Sequence, residues 1–134
     1  MRALIDTNIL LDVLLERGEF LPESRAVWLT NEQGAFEGYI SAMTPVNIYY
    51  IARKILQDKT ATRNLISKIL NSFRICALTK LELQNALSLP FSDYEDAVQT
   101  ASAVIEDLDA IVTRNKKDFK GRPFPFTPLP NFWN

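Results

Sequence analysis

Short apolar runs alternate along this chain with stretches of helical spacing, and that alternation constrains the fold more than any other feature. The runs are RALI (2–5), EGYIS (37–41), FRICAL (73–78) and AIVT (110–113). At least three of them are continuous, without the every-second-residue pattern of a strand with one wet face. Such runs belong to strands buried on both faces, and strands separated by helices pair in parallel. The expected fold class is therefore α/β, a three-layer α/β/α arrangement around a central, mostly parallel sheet. In such sheets ligands bind beyond the carboxyl ends of the strands.

The intervening stretches read as helices. NILLDVLLE follows the first run. PESRAVWLTNEQG has Pro22 near its first turn and Gly34 as a C-terminal stop. In TPVNIYYIARKILQ, Thr44 reads as the N-cap, Pro45 as the first helical residue and Asn47 as the third, with Ile48, Ile51, Ala52, Ile55 and Leu56 as an inward stripe. TATRNLISKILNS turns Leu65, Ile66, Ile69 and Leu70 inward, and TKLELQNALS is a shorter helix. Ser92 and Glu95 stand at capping-box spacing before a helix that reaches Leu108. NKKDF reads as a short turn or helix, and the proline-interrupted tail RPFPFTPLPNFWN as a final edge strand. No repeat or linker interrupts the chain, so residues 1–134 form one expected domain.

Composition removes much chemistry. The chain has no histidine, which excludes Ser-His-Asp and Cys-His nucleophilic sites, His-ligated zinc and paired-histidine acid–base catalysis. The single cysteine, Cys76, supplies neither a disulfide framework nor a thiolate zinc site. No apolar run approaches the roughly 18–20 residues that span a bilayer, and no cleavable leader is evident, so the expected location is the cytoplasm, away from membranes. A net charge of −1 argues against strong non-specific DNA binding. The charge is unevenly spread, however. Residues 51–80 carry seven basic residues against one acid, and 114–122 five against one, whereas 1–37 carry seven acids against three bases. Two basic segments suit a polyanion contacted locally; solvated helix faces account equally well for 51–80 alone.

Any hydrolytic chemistry then falls to carboxylates, Lys, Ser or Thr, or a hard metal ion, and the carboxylates gather where the fold delivers ligands. Asp6 ends the first strand, Asp93 and Asp96 open the long helix, and Asp118 follows the last apolar run. Asp93, Asp96 and Thr100 share one helical face. Clustered carboxylates repel, and a hard cation, Mg²⁺ or Mn²⁺, relieves that repulsion through oxygen ligands. Each acid alone has a plainer reading. Asp6 also suits a turn or a helix cap, Asp93 and Glu95 also complement the helix dipole, and Asp118 also suits the surface. Asp12, on the first helix, is expected to face solvent or to support the site from outside the ligand shell.

Four segments, LIDTNILLD, ISAMTPVNIYY, SDYEDAVQTASA and IVTRNKKDF, in that order and across nearly the whole chain, resemble the PIN (PilT N-terminus) domain family. The resemblance implies a Mg²⁺- or Mn²⁺-dependent nuclease acting mostly on RNA, and for many members the toxin of a type II toxin–antitoxin pair. It implies Asp6 as the first acid, Asp96 as the third and Asn115 or Asp118 as the fourth. Thr7, Asn8 and Thr113 become supporting polar groups behind the ligands. The second acid, usually a glutamate, falls at Asn47. An amide oxygen can ligate a metal but brings no charge, so weaker metal binding is expected.

The expected chemistry is phosphodiester hydrolysis with Asp6, Asp96, Asp118 and Asn115 as catalytic residues. Asp6, Asp96, Asp118, Asn47 and Asp93 are the candidate metal ligands. Arg114, Lys116 and Lys117 would hold backbone phosphates of a single-stranded or structured RNA. Tyr49, Tyr50 and Tyr94 suit base stacking, with packing the plainer role for Tyr49 and Tyr50. An antitoxin protein and a second copy of the chain are the expected protein partners. The rival reading is a catalytically weakened PIN-fold module that binds nucleic acid or protein, because of Asn47. An aspartyl-phosphate phosphatase would need an acid two residues after Asp6, where Asn8 stands, and no G-x-G supports a dinucleotide site.

Overall fold

The computed structural model describes residues 1–91 and 93–113 in full, and the backbone of 126–128. The elements run β1 (Arg2–Ile5), α1 (Thr7–Leu14), α2 (Leu21–Glu32), β2 (Glu37–Ser41), α3 (Met43–Leu56), α4 (Lys59–Ser72), β3 (Arg74–Cys76), α5 (Lys80–Leu87), α6 (Tyr94–Ile105), β4 (Ala110–Val112) and β5 (Phe126–Pro128). The sheet order is β3-β2-β1-β4-β5. The first four strands are parallel, and β5 lies antiparallel on the β4 edge. Among the described residues no helix is long and apolar enough to cross a membrane.

Both faces of the sheet are covered, as the continuous apolar runs require. Ala3 and Ile5 point into a core built with Ile9 and Leu10 of α1, Val27 and Trp28 of α2, Ile48 of α3 and Ile69 of α4. Leu4, between them, points to the opposite face and packs with Tyr39, Cys76, Ala103 and Leu108. Helices α1–α4 thus cover one face, and α6 with its partner α5 the other. This is the expected three-layer α/β/α architecture.

The strand order sets where a ligand can enter. The chain steps outward from β1 to β2 and β3, then returns to place β4 on the other side of β1. The crevice at such a reversal opens between the carboxyl ends of β1 and β4. The Asp6 N–H donates to Val112 O at 2.9 Å, which holds those two strand ends side by side.

Several local expectations change. Thr44 is not the cap of α3; the helix begins at Met43, whose N–H donates to Ser41 Oγ at 3.3 Å. Thr44 is fully buried, and its hydroxyl is engaged by Thr7 at 3.0 Å instead. Asn47 is accordingly the fifth helical residue and not the third. Of the expected α3 stripe only Ile48 and Ala52 are buried; Ile51, Ile55 and Leu56 are exposed, as is Leu70 of α4. Fourteen-residue helices of about 21 Å are longer than the three- and five-residue strands β3 and β2 that they cover. Strand β3 spans three residues where six were expected. Helix α6 is capped by Asp93, whose carboxylate accepts the N–H groups of Glu95 and Asp96, and Ser92 lies outside the described residues. Asp12 does not face solvent. It is 2% exposed, accepts a hydrogen bond from Ser24 Oγ at 3.0 Å and pairs with Arg17 at 3.6 Å, tying α1 to α2.

Candidate active site

Asp6 is the residue at which β1 ends and α1 begins. Its backbone has the extended conformation of an N-cap, φ −63° and ψ 142°, yet its carboxylate makes no capping bond to α1. Instead Asp6 Oδ1 accepts from Nε2 of Gln99, at 3.1 Å, across 93 residues of sequence. Gln99 lies on α6, three residues after Asp96, so the first strand end and the long helix are joined beside the third candidate acid.

The surroundings of Asp96 disfavour its charged form. Partial burial, followed by the negative charges of Asp6, Asp93 and Glu95, pushes its carboxyl from the ordinary 3.8 up to about 6. Asp6 and Asp96, far apart in sequence, therefore repel each other in the folded chain. Burial is the larger cause of the shift, and the neighbouring carboxylates add to it.

The cleft beside these acids has a volume of about 340 Å³ and is lined by Thr7, Asn8, Asn47, Asp93, Glu95 and Asp96. Leu11, Tyr50 and Ile51 form its apolar wall. Asn47, half-buried on α3, therefore lines the same cleft as Asp96. Thr7 is buried against Thr44, so its hydroxyl anchors α1 to α3. Asp93 commits one carboxylate oxygen, Oδ1, to capping α6. Thr113 follows β4 directly. Arg114, Asn115, Lys116, Lys117 and Asp118 lie outside the described residues. Tyr49 and Tyr50 pack edge to face with ring centroids 5.6 Å apart, and Tyr94 donates its hydroxyl to Leu83 O at 2.9 Å.

The donor chemistry suits a hard divalent cation. Asp96 with the neighbouring Asp6 carboxylate, an amide oxygen and a polar cleft match the oxygen ligands that Mg²⁺ and Mn²⁺ take, and Mg²⁺ commonly binds through one or two carboxylates and keeps its waters. Among the described residues no group of three His, Cys, Asp or Glu side chains is gathered closely enough to hold a metal by itself. Cys76 offers no competing chemistry: it is fully buried, and burial pushes its thiol up to about 12.

One residue of the site was not anticipated. Gln99 is 3% exposed, and among the described residues its buried Oε1 has no hydrogen-bond partner. A buried, unpaired acceptor costs about 1–3 kcal/mol. The only signal in the sequence was a long amide within AVQTASA, a run otherwise of small and apolar residues with two hydroxyls, three positions after Asp96.

Residues 2–117 match the family model described as PIN domain. Among solved structures, the chain is 28% identical to a protein of a toxin–antitoxin complex from Klebsiella pneumoniae, covering 90% of this chain and 92% of that one, with a TM-score of 0.62. It is 16% identical to a chain of VapBC2 from Rickettsia felis, solved with a DNA fragment from its promoter, over 87% and 90% of the two chains at a TM-score of 0.63. The sarcin–ricin-loop-cleaving toxin VapC20 of Mycobacterium tuberculosis shares 9% identity over 81% and 86%, at a TM-score of 0.64. The latter two likenesses are of fold. No functionally curated protein matches the chain. The match over residues 2–117, the strand order and the paired acids at the carboxyl ends of the sheet agree, and the chain belongs to the PIN domain family.

Proposed function

We propose that this chain is a divalent-metal-dependent endoribonuclease, cytoplasmic, and the toxin of a type II toxin–antitoxin pair. The observation that carries the nuclease reading is the Asp6–Asp96 pair at the strand-order reversal, with Asp96 raised to about 6. The toxin reading is supported by family membership and by the likeness to the chain from the Klebsiella toxin–antitoxin complex. Asp6 and Asp96 hold the cation, with Asn47, Asp93 and Asp118 or Asn115 completing its ligands. Mg²⁺ or Mn²⁺, when bound, supplies Lewis-acid stabilisation of the phosphate and makes water more acidic. Thr7, Asn8 and Thr113 support the ligands. Arg114, Lys116 and Lys117 hold the phosphate backbone of RNA, and a small antitoxin or a second copy of the chain are the protein partners of this reading.

The experiment is cleavage of RNA by the full chain with Mg²⁺ or Mn²⁺, with metal chelated as the control. Hydrolysis is expected to leave a 5′-phosphate and a 3′-hydroxyl, and Asp6→Asn is expected to lower the rate at least about a hundredfold, as loss of a principal charge-bearing group does. A wild-type chain inert with both ions, or an equally active Asp6→Asn, sinks the nuclease reading. The rival, a module that binds RNA or protein without cutting, is favoured by the neutral Asn47 in the cleft; retained RNA binding by an inert wild type supports it.

A further inference from the structure

We propose that Gln99 is a positioning residue for cation capture, turning the Asp6 carboxylate away from α1 and holding it opposite Asp96. The inference rests on the metal-dependent reading above and assigns part of that site to a residue outside the acid set. Three observations carry it. Asp6 occupies an N-cap position without capping, and its Oδ1 is held by Gln99 Nε2 at 3.1 Å. Gln99 follows Asp96 by three residues on α6, so one rigid turn of helix carries both an acid and the anchor of the acid it repels. Finally, Gln99 Oε1 is buried and has no hydrogen-bond partner among the described residues. The side chain is thus arranged around its donor, Nε2, which meets Asp6, and not around its acceptor.

The amide also suits the task electrostatically. A Lys or Arg donor would neutralise Asp6 and compete with a cation, whereas a neutral N–H orients the carboxylate and leaves its charge available.

The test uses the purified full chain. Mn²⁺ is titrated at pH 7.5 by calorimetry and by electron paramagnetic resonance, at a temperature where each variant is folded, and Tm is measured without metal. Gln99→Met is expected to bind Mn²⁺ about tenfold more weakly, the scale on which groups orienting metal ligands act. Its metal-free Tm checks that it is folded, since loss of the donor to Asp6 and loss of the buried acceptor act on stability in opposite senses. Gln99→Leu is the second variant, with the same expectation. A merely structural glutamine gives unchanged Mn²⁺ affinity in both variants whatever the Tm, and that result overturns the inference while leaving the nuclease reading intact. A wild-type chain that binds no Mn²⁺ overturns both.

Discussion

At the scale of single residues the site turns on Asn47, an amide in a cleft that already holds the charge of Asp96. It lies on α3, three residues after Thr44, whose hydroxyl bonds that of Thr7 at 3.0 Å. Its backbone is thus tied to the residue next to Asp6, and the position is well placed to contribute a ligand. Replacing Asn47 with Glu keeps an oxygen in reach and adds a negative charge. In the metal-free chain that charge joins an existing repulsion; with a cation it becomes an attraction. Asn47→Glu is therefore expected to tighten Mn²⁺ binding by about tenfold, since ligand charge count is a main determinant of affinity for hard cations. Calorimetry on the full chain checks this, and unchanged or weaker binding removes Asn47 from the site. The place of Asn47 on the cleft was legible in the sequence because the resemblance to PIN domains carries a position as well as a residue type. Gln99 was not, because its partner lies 93 residues away and helical periodicity shows a face without showing what crosses to it.

At the scale of elements the strands were legible because an apolar run buried on both sheet faces has few other structural explanations. Helix ends were less so. Thr44 has the propensity of a cap, but its hydroxyl is taken by Thr7 from another helix, while Thr79 and Glu82, unremarked in the sequence, form a full capping box on α5. Local rules see partners within a turn, and buried polar groups choose partners across the fold. Asn31 is a further case. Its Oδ1 accepts the Gly38 N–H at 2.8 Å and its Nδ2 donates to Ser72 O at 2.9 Å, joining α2, β2 and the end of α4. A Cβ at Gly38 would stand 2.7 Å from Asn31 Oδ1 and 2.9 Å from a ring carbon of Phe73. Asn31 cannot retreat without losing both bonds, and the Phe73 ring is packed edge to face on Trp28 at 4.9 Å. Gly38→Ala is therefore expected to cost about 1–3 kcal/mol, the usual range for overpacking. Urea unfolding reads the change directly, and a stability equal to wild type would mean that this junction yields without strain.

At the scale of the whole molecule, the strand order brings the Asp6 segment and the α6 segment together, and the electrostatic consequence is carried by the entire fold. Asp96 takes up its proton at about 6 in the folded chain, against an ordinary 3.8, because of partial burial first and then the charges of Asp6, Asp93 and Glu95. A carboxyl raised on folding is a liability whose sign follows from proton linkage. Between 3.8 and about 6 the folded chain binds a proton that the unfolded chain has already released. Its contribution to stability is therefore full below that window and is lost as pH rises through it. Glu82 acts in the opposite sense, since its hydrogen bond from Thr79 lowers its carboxyl, so a bare pH profile mixes the two. Comparison with Asp96→Asn separates them, because that variant keeps the shape and removes the titration. Wild-type Tm without metal is expected to fall relative to Asp96→Asn as pH rises from about 4 to about 6.5. The difference should be a few degrees at most, since Asp96 remains open to solvent and water screens its neighbours. Above that window Mn²⁺ should reverse the order, raising the wild-type Tm through preferential binding to the folded chain and leaving Asp96→Asn nearly unmoved. A wild-type profile parallel to that of Asp96→Asn, with and without Mn²⁺, would show that the Asp6–Asp96 repulsion is not what a cation relieves.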